Sequence, residues 1–322
     1  MSLDAIRNLV KEDLLATDQF IISQLESHIP LIRQILEYVL SAGGKRIRPL
    51  MLLLSARALN HRGQKHIDLA AVIELIHTAT LLHDDVVDGS TLRRGLQTAH
   101  TIWGSEASVL VGDYLYSRAF QLVVELKHQP ILDIFAKATH FIAEGEILQL
   151  VNCKNADTTE ALYFDIIHRK TAKLFEVATE LPALLSTDAE NEIAALRDYG
   201  LQMGLAYQLI DDAIDYSQSA DIAGKNVGQD IAEGKMTLPL IHAMQKSTGS
   251  NLALIRDAIS HGSDKNLASI LGIIESTGAI KYTADAAKSH AQKAKHALSC
   301  IAETPYRKAL EKLSHFVVER SY

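Results

Sequence analysis

Apolar residues recur along most of the chain at the i, i+3, i+4, i+7 spacing of an α-helix, and the pattern is punctuated by six prolines, at 30, 49, 130, 182, 239 and 305. The spacing predicts about a dozen helices. Two segments, 67 to 88 (containing LAAVIELIHTATLLH) and 198 to 215, are apolar on nearly every side, which suits helices at the centre of a bundle rather than on its surface. Loops are expected at Gly43-Gly44, from Gly89 to Gly95, from 152 to 158 and from Ser217 to Gly234. No period-2 strand series, low-complexity tract or solenoid repeat interrupts this pattern. The expected fold is all-α: one large helical bundle, a single domain over residues 1–322.

Composition agrees. With 48% hydrophobic residues in 322, the chain can bury a sizeable core, and few prolines, 17 glycines and 6% aromatics favour helix over sheet. No apolar run reaches the roughly 18 residues of a membrane span, and acids are scattered through the start, MSLDAIRNLVKEDL, so no transmembrane segment and a cytoplasmic location are expected. The two cysteines, Cys153 and Cys300, lack metal-ligand spacing and read as small core residues. Trp103, Tyr114 and Tyr116 read as packing. A net charge of −7 argues against nucleic acid or an anionic membrane surface as general partners.

The charge is unevenly placed. In LLHDDVVDGSTLRRG, Asp84, Asp85 and Asp88 close an apolar helix, and Asp84 and Asp88, four apart, share one face. The same arrangement returns 127 residues later in YQLIDDAIDY, as Asp211, Asp212 and Asp215. One such cluster is an ordinary solvated helix end; two copies beside apolar helices point to two helices that face one another. Neutralising the six motif aspartates would leave a net charge of only −1. Carboxylates gathered around one cavity repel, so their pKa values rise or a cation neutralises them. Oxygen ligands without a Cys or His cluster suit Mg²⁺, which shares its coordination sphere with water and substrate phosphates.

Basic residues supply the complement. Lys45, Arg46 and Arg48 follow the glycine pair in SAGGKRIRP, Arg93 and Arg94 follow the first aspartate motif, Lys170 and Thr171 precede an apolar helix, and Lys225 and Lys235 sit in GKNVGQDIAEGKMT. Arginine forks and lysine ammoniums bind phosphate oxygens, and the group as a whole can hold several phosphates. SAGGKR is not a nucleotide-binding P-loop, because Val39 replaces the first glycine and Arg46 stands where a Ser or Thr should bind the metal.

These motifs, GGKRIRP, IELIHTATLLHDDVVDGSTLRRG, KTAKLFE, YQLIDDAIDY and GKNVGQDIAEGKMTLPL in that order, resemble those of the trans-prenyl diphosphate synthases, over roughly residues 40 to 245. Met236 departs from the proline that many members carry. The resemblance implies a bundle of the isoprenoid synthase type with a central cavity, usually a homodimer, that joins isopentenyl diphosphate to an allylic diphosphate with Mg²⁺. It implies Lys45, Arg48, His77 and Arg94 for isopentenyl diphosphate. For the allylic diphosphate it implies Arg93, Lys170, Thr171, Gln208, Lys225 and Lys235. Asp84, Asp88 and Asp211 would be the main metal ligands, with Asp85, Asp212 and Asp215 in support.

Ala79 and Thr80 lie about one helical turn before Asp84, where members with short products tend to carry bulky aromatics. Small residues there imply long products of about eight prenyl units, the tail running up to about 25 Å along the helix. An obstruction in the 115 to 124 helix would end it. Three other readings stay open. His83 beside Asp84 could belong to a His-Asp metal phosphohydrolase. A terpene cyclase shares the first aspartate motif, and a non-catalytic partner subunit shares the fold.

Overall fold

The computed structural model describes residues 2–216, 228–263 and 265–319 of the chain, and most of them are helical. Seventeen α-helices are present among the described residues, more than periodicity predicts, because segments such as Leu3–Asn8, Ala99–Trp103 and Gln229–Glu233 are only one or two turns long. The last of these lies inside the expected Ser217–Gly234 loop. Five prolines open helices within the first turn, where an N–H has no intrahelical partner to lose. Pro182 does not: it lies inside the Lys173–Ser186 helix, so the break expected there is absent. No helix among the described residues is long and apolar enough to cross a membrane.

The chain divides into two compact units, Met1–Ala136 with Val177–Arg197 and Ser299–Leu310, and Lys137–Glu176 with Asp198–Leu298 and Glu311–Tyr322. The first is built around the Lys65–Val87 helix, the first aspartate helix, of whose 23 residues fourteen are buried. It runs antiparallel to Ser105–Glu125: the Lys65 ammonium donates to the Leu126 carbonyl at 3.0 Å, and Ser108 Oγ to the Leu82 carbonyl at 3.1 Å. Each fully buried Leu, Ile or Val contributes about 1.5–3 kcal/mol, which is why this helix is apolar on all sides. Lys11–Gln24 and Ile47–Ala58 cover it further, locked by a bidentate pair from Arg57 to Asp13 at 2.7 and 2.6 Å. Burial pushes the Asp13 carboxyl up, but hydrogen bonds from His66 and Arg57 outweigh it and hold the group well below the usual carboxylate range.

The second unit is centred on the 198–215 part of the Glu190–Asp215 helix, the second aspartate helix. Leu209, Ile210, Leu238, Leu240, Ile259 and Ile274 form its core. Ala279–Ala297 buries a face of small residues, Ala284, Ala287, Ala291 and Ala294, while its lysines face outward. Neither cysteine is in a core: Cys300 is exposed and Cys153 half-buried, because both stand in short connections after helix ends. Trp103 packs edge-to-face on Tyr38 at 5.2 Å and Tyr116 stacks on His83 at 6.3 Å, the packing roles expected.

Candidate functional site

Each aspartate motif lies at the C-terminal end of its helix, where the macrodipole is negative and the last turn has no basic residue. Carboxylates there cost about 0.3–1 kcal/mol each in place of the stabilisation cations would give, so the placement serves something other than helix stability. In the first unit His77, Thr80, Leu81, Asp84 and Asp88 form a partly exposed stripe on a helix whose upstream part is mostly buried. Ala79 is fully enclosed, so Thr80, whose hydroxyl donates to the His77 carbonyl at 2.8 Å, is the small residue left facing outward above Asp84.

Beyond Asp88 the chain turns in a two-stranded ribbon, Leu92–Arg93 against Leu96–Gln97, inside the expected Gly89–Gly95 loop. Arg94 and Gly95 both have positive φ, 52° and 78°, the signature of a two-residue hairpin turn. The ribbon returns Arg93 onto the helix, where its Nε donates to Asp85 Oδ1 at 2.7 Å. Burial raises the Asp85 carboxyl, and Arg93 opposes that rise. Arg94 lies over Gly44: a Cβ on Gly44 would stand 2.8 Å from its Nη1 and displace the guanidinium, while Gly43 takes a positive φ of 66°.

Behind the glycine pair, Arg48 Nη1 donates to His77 Nε2 at 3.2 Å. Loss of solvent, then Arg48, Arg94, Arg93 and Arg46, push His77 well below its usual value, so it is a neutral acceptor. Arg46 is committed elsewhere, to Glu74 at 2.7 Å, and burial raises that carboxyl against the pull of Arg46, Arg48 and Arg94. Lys45 is exposed on the loop. The structure thus brings Arg48 and Arg94 together around a neutral His77.

In the second unit Lys170 and Thr171 lie in a wide π-turn, His168–Ala172, between Glu160–Ile167 and Lys173–Ser186. Such turns carry one extra residue and are frequent at functional sites. Two glycines let neighbours approach it: a Cβ on Gly145 would meet the Lys170 nitrogen at 2.8 Å, and one on Gly204 the Ala172 Cα at 2.5 Å. Thr171 Oγ1 donates to Gln208 Oε1 at 2.8 Å, Gln208 Nε2 donates to Asp212 Oδ1 at 2.7 Å, and the Tyr163 hydroxyl donates to Asp212 Oδ2 at 2.5 Å. Burial and the Asp230 carboxylate push Asp212 up to about 7, against those two hydrogen bonds. Asp215 is buried and lies 3.5 Å from the Asp230 N–H, whereas Asp211 keeps exposed surface. Lys170 pairs with Glu146 at 2.5 Å and Lys235 with Glu233 at 2.7 Å. Lys225 lies outside the described residues.

Sequence reasoning did not single out Tyr163, Glu146, Glu74, Gly145 or Gly204. The available signal was an acid within an apolar run, which both Glu74 in LAAVIELIH and Glu146 in EGEILQ show. Among the described residues no group of three or more His, Cys, Asp or Glu could hold a metal by itself. Two carboxylates four apart per motif, oxygen donors throughout, fit a Mg²⁺ that takes its remaining ligands from water and phosphate.

Residues 29–274 match the polyprenyl synthetase family. The chain is 46% identical to the octaprenyl diphosphate synthase of Haemophilus influenzae, over 100% of this chain and 98% of that protein. It is 44% identical to that of Escherichia coli, over 99% of each. A crystal structure of a polyprenyl synthase from Caulobacter crescentus, complexed with calcium and isoprenyl diphosphate, superposes with a TM-score of 0.95 at 43% identity, covering 99% of this chain and 98% of that one. An all-helical chain with two aspartate motifs, the cations that accompany them and this full-length likeness belongs to the polyprenyl synthetase family.

Proposed function

We propose that the chain is a long-chain trans-polyprenyl diphosphate synthase, adding isopentenyl diphosphate to an allylic diphosphate, with farnesyl diphosphate as primer and a product of about eight prenyl units destined for a quinone side chain. The observation that carries the reading is the pairing of each aspartate motif with its own set of cations: Arg48, Arg94 and neutral His77 in one unit, Lys170 and Lys235 in the other. One set suits each diphosphate, with Arg93 of the first unit joining the allylic set, so both units serve one reaction, and the single domain expected over 1–322 becomes the proposal that neither unit works without the other.

Arg93, Lys170, Thr171, Gln208, Lys225 and Lys235 would hold the allylic diphosphate, and Lys45, Arg48, His77 and Arg94 the isopentenyl diphosphate. Asp84, Asp88 and Asp211 would hold Mg²⁺, with Asp85 and Asp215 behind them; when bound, it neutralises charge on the departing diphosphate. The residues around it do the rest. Lys170 and Lys235 exchange their glutamate partners for phosphate oxygens as negative charge develops there. Apolar helix surface keeps water from the allylic cation while the double bond of isopentenyl diphosphate attacks it, and the proton lost passes to the released diphosphate. Thr80, small and open above Asp84, leaves room for a growing tail that gains about 0.8 kcal/mol per buried methylene.

An exposed apolar ridge, Ile147, Leu150 and Val151, supports a homodimer, and the net charge and the lack of a spanning helix among the described residues support a cytoplasmic location. The test is product analysis after incubation with farnesyl diphosphate, labelled isopentenyl diphosphate and Mg²⁺. Linear polyprenyl products are expected. Cyclic hydrocarbons would make the chain a cyclase, and no incorporation would make it a partner subunit or a phosphohydrolase.

A further inference from the structure

Tyr163 is 3% exposed and belongs to no motif, yet its hydroxyl makes a 2.5 Å bond to Asp212 Oδ2. The other oxygen of Asp212 accepts from Gln208 Nε2 at 2.7 Å. With Asp212 ionised, its oxygens accept hydrogen bonds and do not donate them, so the amino end of Gln208 faces Asp212 and its carbonyl end faces Thr171. That leaves the Thr171 hydroxyl only one arrangement: its hydrogen goes to Gln208 Oε1, at 2.8 Å, and its lone pairs turn away from Gln208. The wide turn makes the circuit fit. In a regular helix residues seven apart return to one face, whereas Tyr163 and Thr171 are eight apart; the extra residue of the His168–Ala172 turn brings them into line along the second aspartate helix, where Gln208 and Asp212 are four apart.

We propose that Tyr163 is a positioning residue of the allylic half of the site: by holding Asp212 it fixes the amide direction of Gln208 and, through it, the direction in which the Thr171 hydroxyl points. It touches no substrate itself. Without its hydroxyl, Asp212 loses one of its two donors and is free to rotate, Gln208 can turn end for end, and Thr171 is no longer set. The proposal rests on the synthase reading given above, in which Thr171 and Gln208 serve the allylic substrate.

The test is a double-mutant cycle in the full-length protein with Tyr163→Phe and Thr171→Val, scored by kcat/KM for farnesyl diphosphate and separately by KM for isopentenyl diphosphate. Tyr163→Phe should lower the allylic kcat/KM by about tenfold, leave the isopentenyl KM within about twofold, and have less than about a twofold effect once Thr171 is Val. Equal factors with and without the Thr171 hydroxyl, or equal changes for both substrates, would overturn the positioning role while the synthase reading stands, because the unaltered protein in the same assay elongates farnesyl diphosphate. An unaltered protein that does not elongate would overturn the synthase reading and this proposal with it. If Tyr163→Phe does not fold, Asp212→Asn carries the same test. An Asn side chain offers Gln208 both a donor and an acceptor, so it should reproduce the loss and its dependence on Thr171.

Discussion

The two aspartate motifs share a spacing and a position at a helix C-terminus, but their surroundings differ. In the first, one carboxylate of three is buried, and it is matched by a cation, Arg93 on Asp85. In the second, two of three are buried, and the middle one is matched by neutral donors, Tyr163 and Gln208 on Asp212. The middle aspartate of each motif is therefore buried and held by named side chains, while Asp84 and Asp88 in the first motif and Asp211 in the second keep exposed surface. The residues one turn upstream differ too. Small Thr80 precedes Asp84, whereas Tyr207, tilted against Phe175 at 5.2 Å, precedes Asp211. On the proposed reading, likeness in the motifs marks what both would share, a divalent cation and phosphate, and the small Thr80 against the bulky Tyr207 favours the first helix for the tail.

The largest effect is expected where the motifs are alike. Asp84→Ala and Asp211→Ala should each lower kcat/KM by roughly 10²–10³-fold or more, with circular dichroism and melting temperature close to the parent protein, since both side chains are partly exposed. Near-parental turnover at saturating Mg²⁺ would remove that aspartate from the metal assignment.

Upstream of the motifs the comparison can be broken by size. Thr80→Phe should shift the product from about eight units towards three or four while the first condensation continues, read by mass analysis of the dephosphorylated products. Ala79→Phe should do the same with a larger loss of melting temperature, because Ala79 is fully enclosed and has no room to spare. Unchanged product length in a stable, active Thr80→Phe variant would place the tail elsewhere.

Next come the cation sets. Arg94→Ala should raise the KM for isopentenyl diphosphate, and Lys235→Ala that for the allylic substrate, each by about 1.5–3 kcal/mol, or 10- to 150-fold. Equal effects of both variants on both substrates would contradict separate sites.

The smallest effect separates the two middle aspartates by pH. Asp212 is raised from 3.8 to about 7, so between those values the folded chain keeps a proton that the unfolded chain has lost. Stability of the metal-free protein should therefore fall as pH rises through that window, and Asp212→Asn should flatten the fall in melting temperature. Asp85→Asn should act in the same direction, since burial raises Asp85 as well, but Arg93 opposes it.

Much of this was legible in the sequence, for physical reasons that also mark where the reading stopped. Helix period and all-round apolarity located both aspartate helices, and the glycine pair and paired arginines marked the loop where Arg94 lies over Gly44. The π-turn left no such trace, because a wide turn is set by remote packing, here by Gly145 and Gly204, and no local periodicity reports it. Tyr163 looks like any aromatic on an apolar face until the fold brings Asp212 to it. The ion pair from Arg57 to Asp13 joins residues 44 apart, a distance over which charge patterning along one helix is silent. The sequence also could not tell Ala79 from Thr80: both are small, and only helix packing shows which is enclosed.

The most direct test of the division between partly exposed first aspartates and buried middle ones is calorimetric titration of an unreactive thiolo analogue of farnesyl diphosphate, with and without Mg²⁺, into the parent protein, Asp84→Asn and Asp85→Asn. Mg²⁺ should tighten binding by about tenfold or more in the parent and in Asp85→Asn, and should have little effect in Asp84→Asn. Loss of the Mg²⁺ effect in Asp85→Asn with its survival in Asp84→Asn would contradict the account.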